Sequence, residues 1–227
     1  MNSFQEAFNL LTSFDKELYQ IIATTLKMSF FSTLISCLLG IPLGALLESR
    51  AFRGKALIKR IIHTLIGLPP VVAGLIVYML FTHYGPFGKL GILFTVKVMV
   101  VAQVVLITPL VIALTSSIVS GNTKQIKETA TGLNLSRASI MTLYITENKN
   151  AIMSVILTAF GRAIAEVGAV SLVGGNIQFK TRVMTTAIML ETNKGNFSFA
   201  LALGIILLII AFVVNTIASF IERSSNG

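Results

Sequence analysis

The stretch from Lys124 to Asn176, KQIKETATGLNLSRASIMTLYITENKNAIMSVILTAFGRAIAEVGAVSLVGGN, decides the fold. Its first half, Lys124 to Asn150, is too polar for hydrocarbon, yet apolar runs flank it on both sides. Its second half carries Arg162 and Glu166 inside an otherwise apolar run and ends in Gly174-Gly175-Asn176. A segment built to meet something in water is thus joined directly to a membrane span with charge inside it. A charge at mid-bilayer costs roughly 2.5–3.5 kcal/mol on insertion scales, so that face must point into protein or water. Arg162 and Glu166 are four apart, which on a continuous helix places them on one face within pairing reach. Gly161, Ala165 and Gly168 form a small-residue ridge beside them that permits close helix contact.

The composition agrees with a membrane setting. Of 227 residues, 54% are hydrophobic and 12% charged, with a mean hydropathy of +0.84. A soluble domain carries about 25% charged residues. The net charge of +9 is spread over several loops, which favours a topological role over nucleic-acid binding. Cys37 is the sole cysteine and lies in an apolar run, so neither an internal disulfide nor a thiol metal site is expected. No cleavable leader is expected in residues 1–18, which lack a compact apolar core behind a basic head.

Five runs approach the 20 residues that a helix needs to cross hydrocarbon: residues 28–47, 61–80, 98–119, 151–173 and 197–221. Ahead of them, Ser3 and Glu6 have capping-box spacing. Phe4, Phe8, Leu11, Phe14 and Leu18 then recur at helical intervals, so residues 1–18 read as an amphipathic lead-in, on the membrane interface or packed on the protein. Gly40 and Gly44 flank Pro42, giving a packing notch and a possible kink in the first span. In the second, Gly67-Leu68-Pro69-Pro70 removes backbone donors and predicts a break that protein or a cavity must cover. Residues 48–60 read as a short basic loop and residues 174–196 as a polar outer segment. Five spans put the termini on opposite sides. With the N-terminus outside, the first inner loop alone carries Arg50, Arg53, Lys55, Lys59 and Arg60, and the 120–150 loop is also inside.

Glu128-Thr129-Ala130, followed by Gly132 and Asn134, is similar to the cytoplasmic signature of ABC-transporter permeases, in which Glu-Ala-Ala is followed after three residues by Gly. Asn134 stands in the glycine's place and is the next-best residue for a left-handed helix stop. Tyr144 to Glu147 replaces the usual Ile-x-Leu-Pro ending. Leu68 to Gly74, Gly85-Pro86-Phe87-Gly88, Gly161 to Val170, Gly174-Gly175-Asn176 and Thr181 to Ile188 extend the resemblance to the tungstate-type branch of the molybdate/tungstate permeases.

The resemblance implies an all-α membrane protein of five transmembrane helices, with the type I ABC importer permease fold over residues 1–227. It implies a homodimer working with two copies of a cytoplasmic ATPase and an extracytoplasmic oxyanion-binding protein. The chain would sit in a prokaryotic inner membrane and import tungstate, with molybdate or sulfate as the alternative. Glu128 to Asn134 would form a short coupling helix docked on the ATPase, with Glu128 and Thr129 beginning it and Asn134 ending it. Arg162 and Glu166, with Gly168, either line the gate of the anion path or only brace packing between spans. Gly174, Gly175 and Asn176 either offer backbone donors to the entering anion or form an ordinary glycine turn.

Other classes find less support. There is no HExxH, GxSxG or P-loop, and the two histidines stand 20 residues apart, so no catalytic constellation is expected. ATP chemistry must come from another chain, and no cofactor is expected. An ATP-independent anion channel remains open on hydropathy alone.

Overall fold

The computed structural model describes residues 9, 15–49, 52–132 and 136–225. The described residues are helical apart from turns and short links. The lead-in expected over residues 1–18 falls almost wholly outside them. Helix α1 runs Lys16–Ser49, well beyond the span expected from the apolar run alone. Asp15 starts it by accepting the Leu18 N–H at 2.8 Å. Pro42 lies inside without ending the helix.

Helices α2 (Lys55–Ile66) and α3 (Pro70–Phe81) replace the single second span and are bent by 97° at Gly67-Leu68-Pro69. Pro69 and Pro70 cause the break. Pro70 then occupies the first helical position of α3, where its missing N–H costs nothing. The expected basic loop is mostly helical. Glu48 belongs to the last turn of α1, and its carboxylate takes Lys55 at 3.0 Å and Lys59 at 2.7 Å.

Helix α4 runs Val96–Gly132 without interruption. Helices α5 (Arg137–Glu147) and α6 (Lys149–Ile164) follow, then α7 (Gly168–Gly174), bent by 57° from α6. The polar outer segment contains a further helix, α8 (Met184–Asn193), and the chain closes with α9 (Phe197–Ser225). Near the end of α8, burial pushes the Glu191 carboxyl up. Hydrogen bonds from Lys194 at 2.8 Å and Asn196 at 2.9 Å, with the charges of Lys194 and Arg182, outweigh this and hold it below the usual glutamate value.

Three helices, α1, α4 up to Gly121 and α9 up to Ile221, are long and apolar enough to cross a membrane. Counting each bent pair as one span gives five. Helix α1 lies along α4, and α6 packs on α9 and α1. One core joins Met28, Ala73, Val98, Met99, Ala102 and Val170, tying α1, α3, α4 and α7 together. A second joins Leu18, Ile164, Met184 and Leu203 at the α8 end. Leu208, Phe212 and Phe220 of α9 face outward, as a lipid-facing helix requires.

The half-helices α3 and α7, each lying just past a break, press together through glycine. A Cβ on Gly74 would sit 2.7 Å from Ala169 Cα, and one on Gly168 would sit 2.9 Å from Val71 Cγ2. Gly161 meets no such neighbour, so of the ridge expected in sequence only Gly168 makes a close contact within the chain, while Ala165 is exposed. Because Gly74 faces backbone rather than a movable side chain, Gly74→Val should cost about 1–3 kcal/mol. Gly204→Ala, which meets nothing within 4 Å, should be neutral or slightly stabilising. Thermal unfolding of the detergent-solubilised protein measures both. An unchanged midpoint for Gly74→Val would refute the close α3–α7 packing.

Candidate functional site

The break between α6 and α7 gathers the charged and polar groups of the membrane domain. Helix α6 stops at Ile164; Ala165 still has helical dihedrals, whereas Val167 departs from them before α7 begins. Arg162 and Glu166 therefore do not share one helix face, as their spacing suggests: Arg162 is in the last turn of α6 and Glu166 is in the link. The cause is local. One Glu166 carboxylate oxygen, Oε1, accepts the Ala169 N–H at 3.2 Å, satisfying an amide that the first turn of α7 leaves open.

Other helices supply donors to two carbonyls at the break. Gln103 of α4 is fully buried. Its Nε2 donates to the Ala163 carbonyl at 2.7 Å, and its Oε1 accepts from Ser32 of α1 at 2.6 Å. Thr185 of α8 donates to the Glu166 carbonyl at 2.9 Å, and the adjacent Met184 N–H donates to Thr25 of α1 at 2.9 Å. Three helices thus hold the link in place. Sequence reasoning passed over Gln103, although it is the only side-chain amide in the third apolar run.

The ion pair is loose. Arg162 Nη1 lies 3.7 Å from Glu166 Oε2, beyond the 2.7–2.9 Å of a charge-assisted hydrogen bond. The Glu166 side chain is 4% exposed and that of Arg162 is 42% exposed. The carboxylate is therefore committed to the fold, whereas the guanidinium projects from the single chain with donors to spare. Such an arginine can meet an anion or a facing protein surface.

Gly174, Gly175 and Asn176 close α7 rather than presenting free donors. Gly175 takes the left-handed conformation, and its N–H donates to Ser171 O at 3.0 Å. The Ile177 N–H goes to Thr181 Oγ1 at 3.0 Å, which itself donates to Gly174 O at 2.6 Å. Asn176 Oδ1 accepts from Thr186 at 2.9 Å. The expectation of flexible backbone with available amides does not match this latched turn, because the Gly175 and Ile177 donors are spent inside the fold.

The coupling residues also sit differently from the expectation. Glu128 is exposed and lies in the last turns of α4, so it does not begin a new helix. Nothing between Val119 and Gly132 breaks the helix. Thr129, Ala130 and Gly132 fall in the same turns with their side chains outside the described set, and Asn134 lies outside the described residues. The separate short helix is α5, started by Ser136, which accepts the Ser139 N–H at 3.2 Å. Ala45 of α1, Val119 and Ile126 of α4 and Tyr144 of α5 form a small core that ties this segment to the spans.

Residues 40–226 match the family model described as the binding-protein-dependent transport system inner membrane component. The chain belongs to that family. It is a multi-pass inner-membrane permease component of an ABC importer, working with an ATPase and a binding protein, and is not a catalytic subunit. Among curated relatives, it is 40% identical to the tungstate uptake system permease protein TupB of Campylobacter jejuni, over 98% of this chain and 93% of that one. It is 36% identical to TupB of Peptoclostridium acidaminophilum, over 94% of each chain. The molybdenum transport system permease protein ModB of Escherichia coli is 28% identical over 91% of this chain and 94% of that one. Among solved structures, an inward-facing MetNI methionine ABC transporter chain superposes with a TM-score of 0.76, covering 92% of this chain and 96% of that one at 15% identity. That likeness supports the fold.

Removing Arg162 leaves Glu166 with its Ala169 hydrogen bond but no cation. Arg162→Ala should therefore reduce transport at least tenfold while lowering the unfolding midpoint only slightly. Glu166→Ala should also cost about 1–2 kcal/mol of stability, because it uncaps α7, and so lower the midpoint clearly. Paired measurements of transport and thermal stability separate the two. Full transport by Arg162→Ala would make the pair a mere packing brace.

Proposed function

We propose that this permease carries tungstate inward as the membrane half of a homodimeric importer. The observation that supports the substrate is the fall in identity, from 40% and 36% with the two tungstate permeases to 28% with the molybdenum permease. In this reading residues 1–227 form one permease domain, and two copies face each other across the path. Arg162, the cation with unspent donors, meets the passing dianion. Glu166, Gly168 and the Gly174-Gly175-Asn176 turn hold the break and the end of α7 in position. A conduit gains nothing from tight binding, since an anion held strongly leaves slowly. Selectivity then rests chiefly with the binding protein.

The end of α4 from Glu128, with the segment through Asn134, forms the contact with the ATPase. An added bulky charge there should overpack the contact. In a reconstituted complex, Ala130→Arg should abolish stimulation of ATP hydrolysis by the loaded binding protein while the spans unfold at the normal temperature. Normal stimulation and normal co-purification would move the contact elsewhere. The same vesicles should take up tungstate in preference to molybdate and only with ATP. Preferred uptake of molybdate would replace the substrate assignment, and uptake without ATP would mean a channel.

The basic residues orient the chain with its N-terminus outside and its C-terminus inside. After Cys37→Ser, a single cysteine at position 2 should react with an impermeant thiol reagent from outside and one at position 226 should not. Reaction of both from one face would contradict the five-span count.

A further inference from the structure

The end of α1 and the middles of α2 and α4 border an open cavity of about 230 Å³ lined by Lys59, His63, Ser116, Ser117 and Ser120. Lys59 reaches Glu48 Oε2 at 2.7 Å, Ser116 donates to the same oxygen at 3.1 Å, and Lys55 takes Oε1 at 3.0 Å. One carboxylate facing two ammonium groups leaves an excess positive charge, and an ammonium has three donors, only one of which Glu48 Oε2 takes from Lys59. Ser117, Ser120 and His63 are exposed. Arg53 and Arg60, exposed nearby in sequence, add to the positive potential.

Beside this polar cavity runs an apolar groove of about 490 Å³, lined by Leu43, Leu46, Phe52, Ile58 and Ile112. The two share Leu47 and Ile62 as a common wall. Depth separates them. Ser116 to Ser120 lie within five residues of Gly121, where the apolar part of α4 ends. At 1.5 Å per residue that is within about 8 Å of the end of the span, the level of headgroups. Leu43 and Ile112 lie roughly a turn further in, at the level of acyl chains.

We propose that the paired cavities bind an anionic phospholipid, its phosphate among Lys59, His63 and the serines and an acyl chain along the groove. The excess positive charge selects an anionic headgroup over a zwitterionic one. A free oxyanion would fill only the polar half, and a helix of a second copy would fill only the apolar half. A lipid serves both. So placed, it bridges α2 to α1 and α4 at the junction that the Glu48 cluster already ties.

The test uses the permease purified with its ATPase and depleted of lipid. Phosphatidylglycerol in mixed micelles should be retained in native mass spectrometry and should raise the unfolding midpoint. Phosphatidylcholine, inorganic phosphate and tungstate should do neither. Ser117→Leu, which fills the polar half, and Leu43→Trp, which blocks the groove, each alter an exposed side chain outside the Glu48 cluster. Each should cut phosphatidylglycerol retention about tenfold, the equivalent of 1.4 kcal/mol. Equal retention of phosphatidylcholine would reduce the groove to ordinary lipid contact and overturn the proposal. A matching response to inorganic phosphate or tungstate would make it a free-anion site. Dissociation of the two copies by Leu43→Trp, with lipid retention unchanged, would make the groove a protein interface.

Discussion

A helix broken inside a bilayer exposes amides and carbonyls where no water can satisfy them, and this constraint shapes the whole structure. The chain breaks twice, at Gly67-Leu68-Pro69 and at Ala165-Glu166-Val167. At the second break, one partner is local and two come from other parts of the fold. Glu166 caps Ala169, Gln103 serves the Ala163 carbonyl, and Thr185 serves the Glu166 carbonyl. The half-helices beyond the two breaks then cover one another through Gly74 and Gly168. Each break is tolerable because the other elements are already in place, so α1, α4 and α8 are conditions for the site as much as scaffold around it.

Much of this was legible in the sequence, and the limits are physical. Apolar runs located the three membrane-length helices and both bent pairs, because a bilayer imposes a length that composition reveals directly. The Pro69-Pro70 break was legible too, since proline lacks the donor. The second break was not. Residues Gly161 to Ala169 contain no proline, and only a carboxylate folded back on Ala169 makes stopping at Ile164 favourable. Helix ends were missed for a similar reason. Glu48 to Arg60 reads as a soluble loop by charge, yet Glu48 pairs with both Lys55 and Lys59 and ties the two flanking helices together.

The polar segment that begins in the last turns of α4 shows the opposite kind of error. Its motif identified the family correctly but suggested a helix beginning at Glu128, because motif spacing carries no information about what precedes it. Helix α4 simply does not stop, and the independent short helix is α5, defined by the Ser136 cap. The Gly174-Gly175-Asn176 turn was likewise recognisable as special, whereas its hydroxyl partners Thr181 and Thr186 lie too far along the chain to be inferred from it.

The continuity of α4 has a mechanical meaning. At 1.5 Å per residue its 37 residues make a rod roughly 55 Å long, with Gln103 near one end and Gly132 at the other. If such a rod pivots at its middle by roughly 3°, each end swings by about 1.4 Å. That displacement is negligible for a protein surface gripping the far tip. Gln103, about 16 Å from that middle, moves by about 0.9 Å, a third of the length of its 2.7 Å bond to the Ala163 carbonyl, and along the bond this carries it past hydrogen-bond reach. A tilt of the longest helix would therefore be felt at the hydrogen bond that covers the carbonyl beside the broken span.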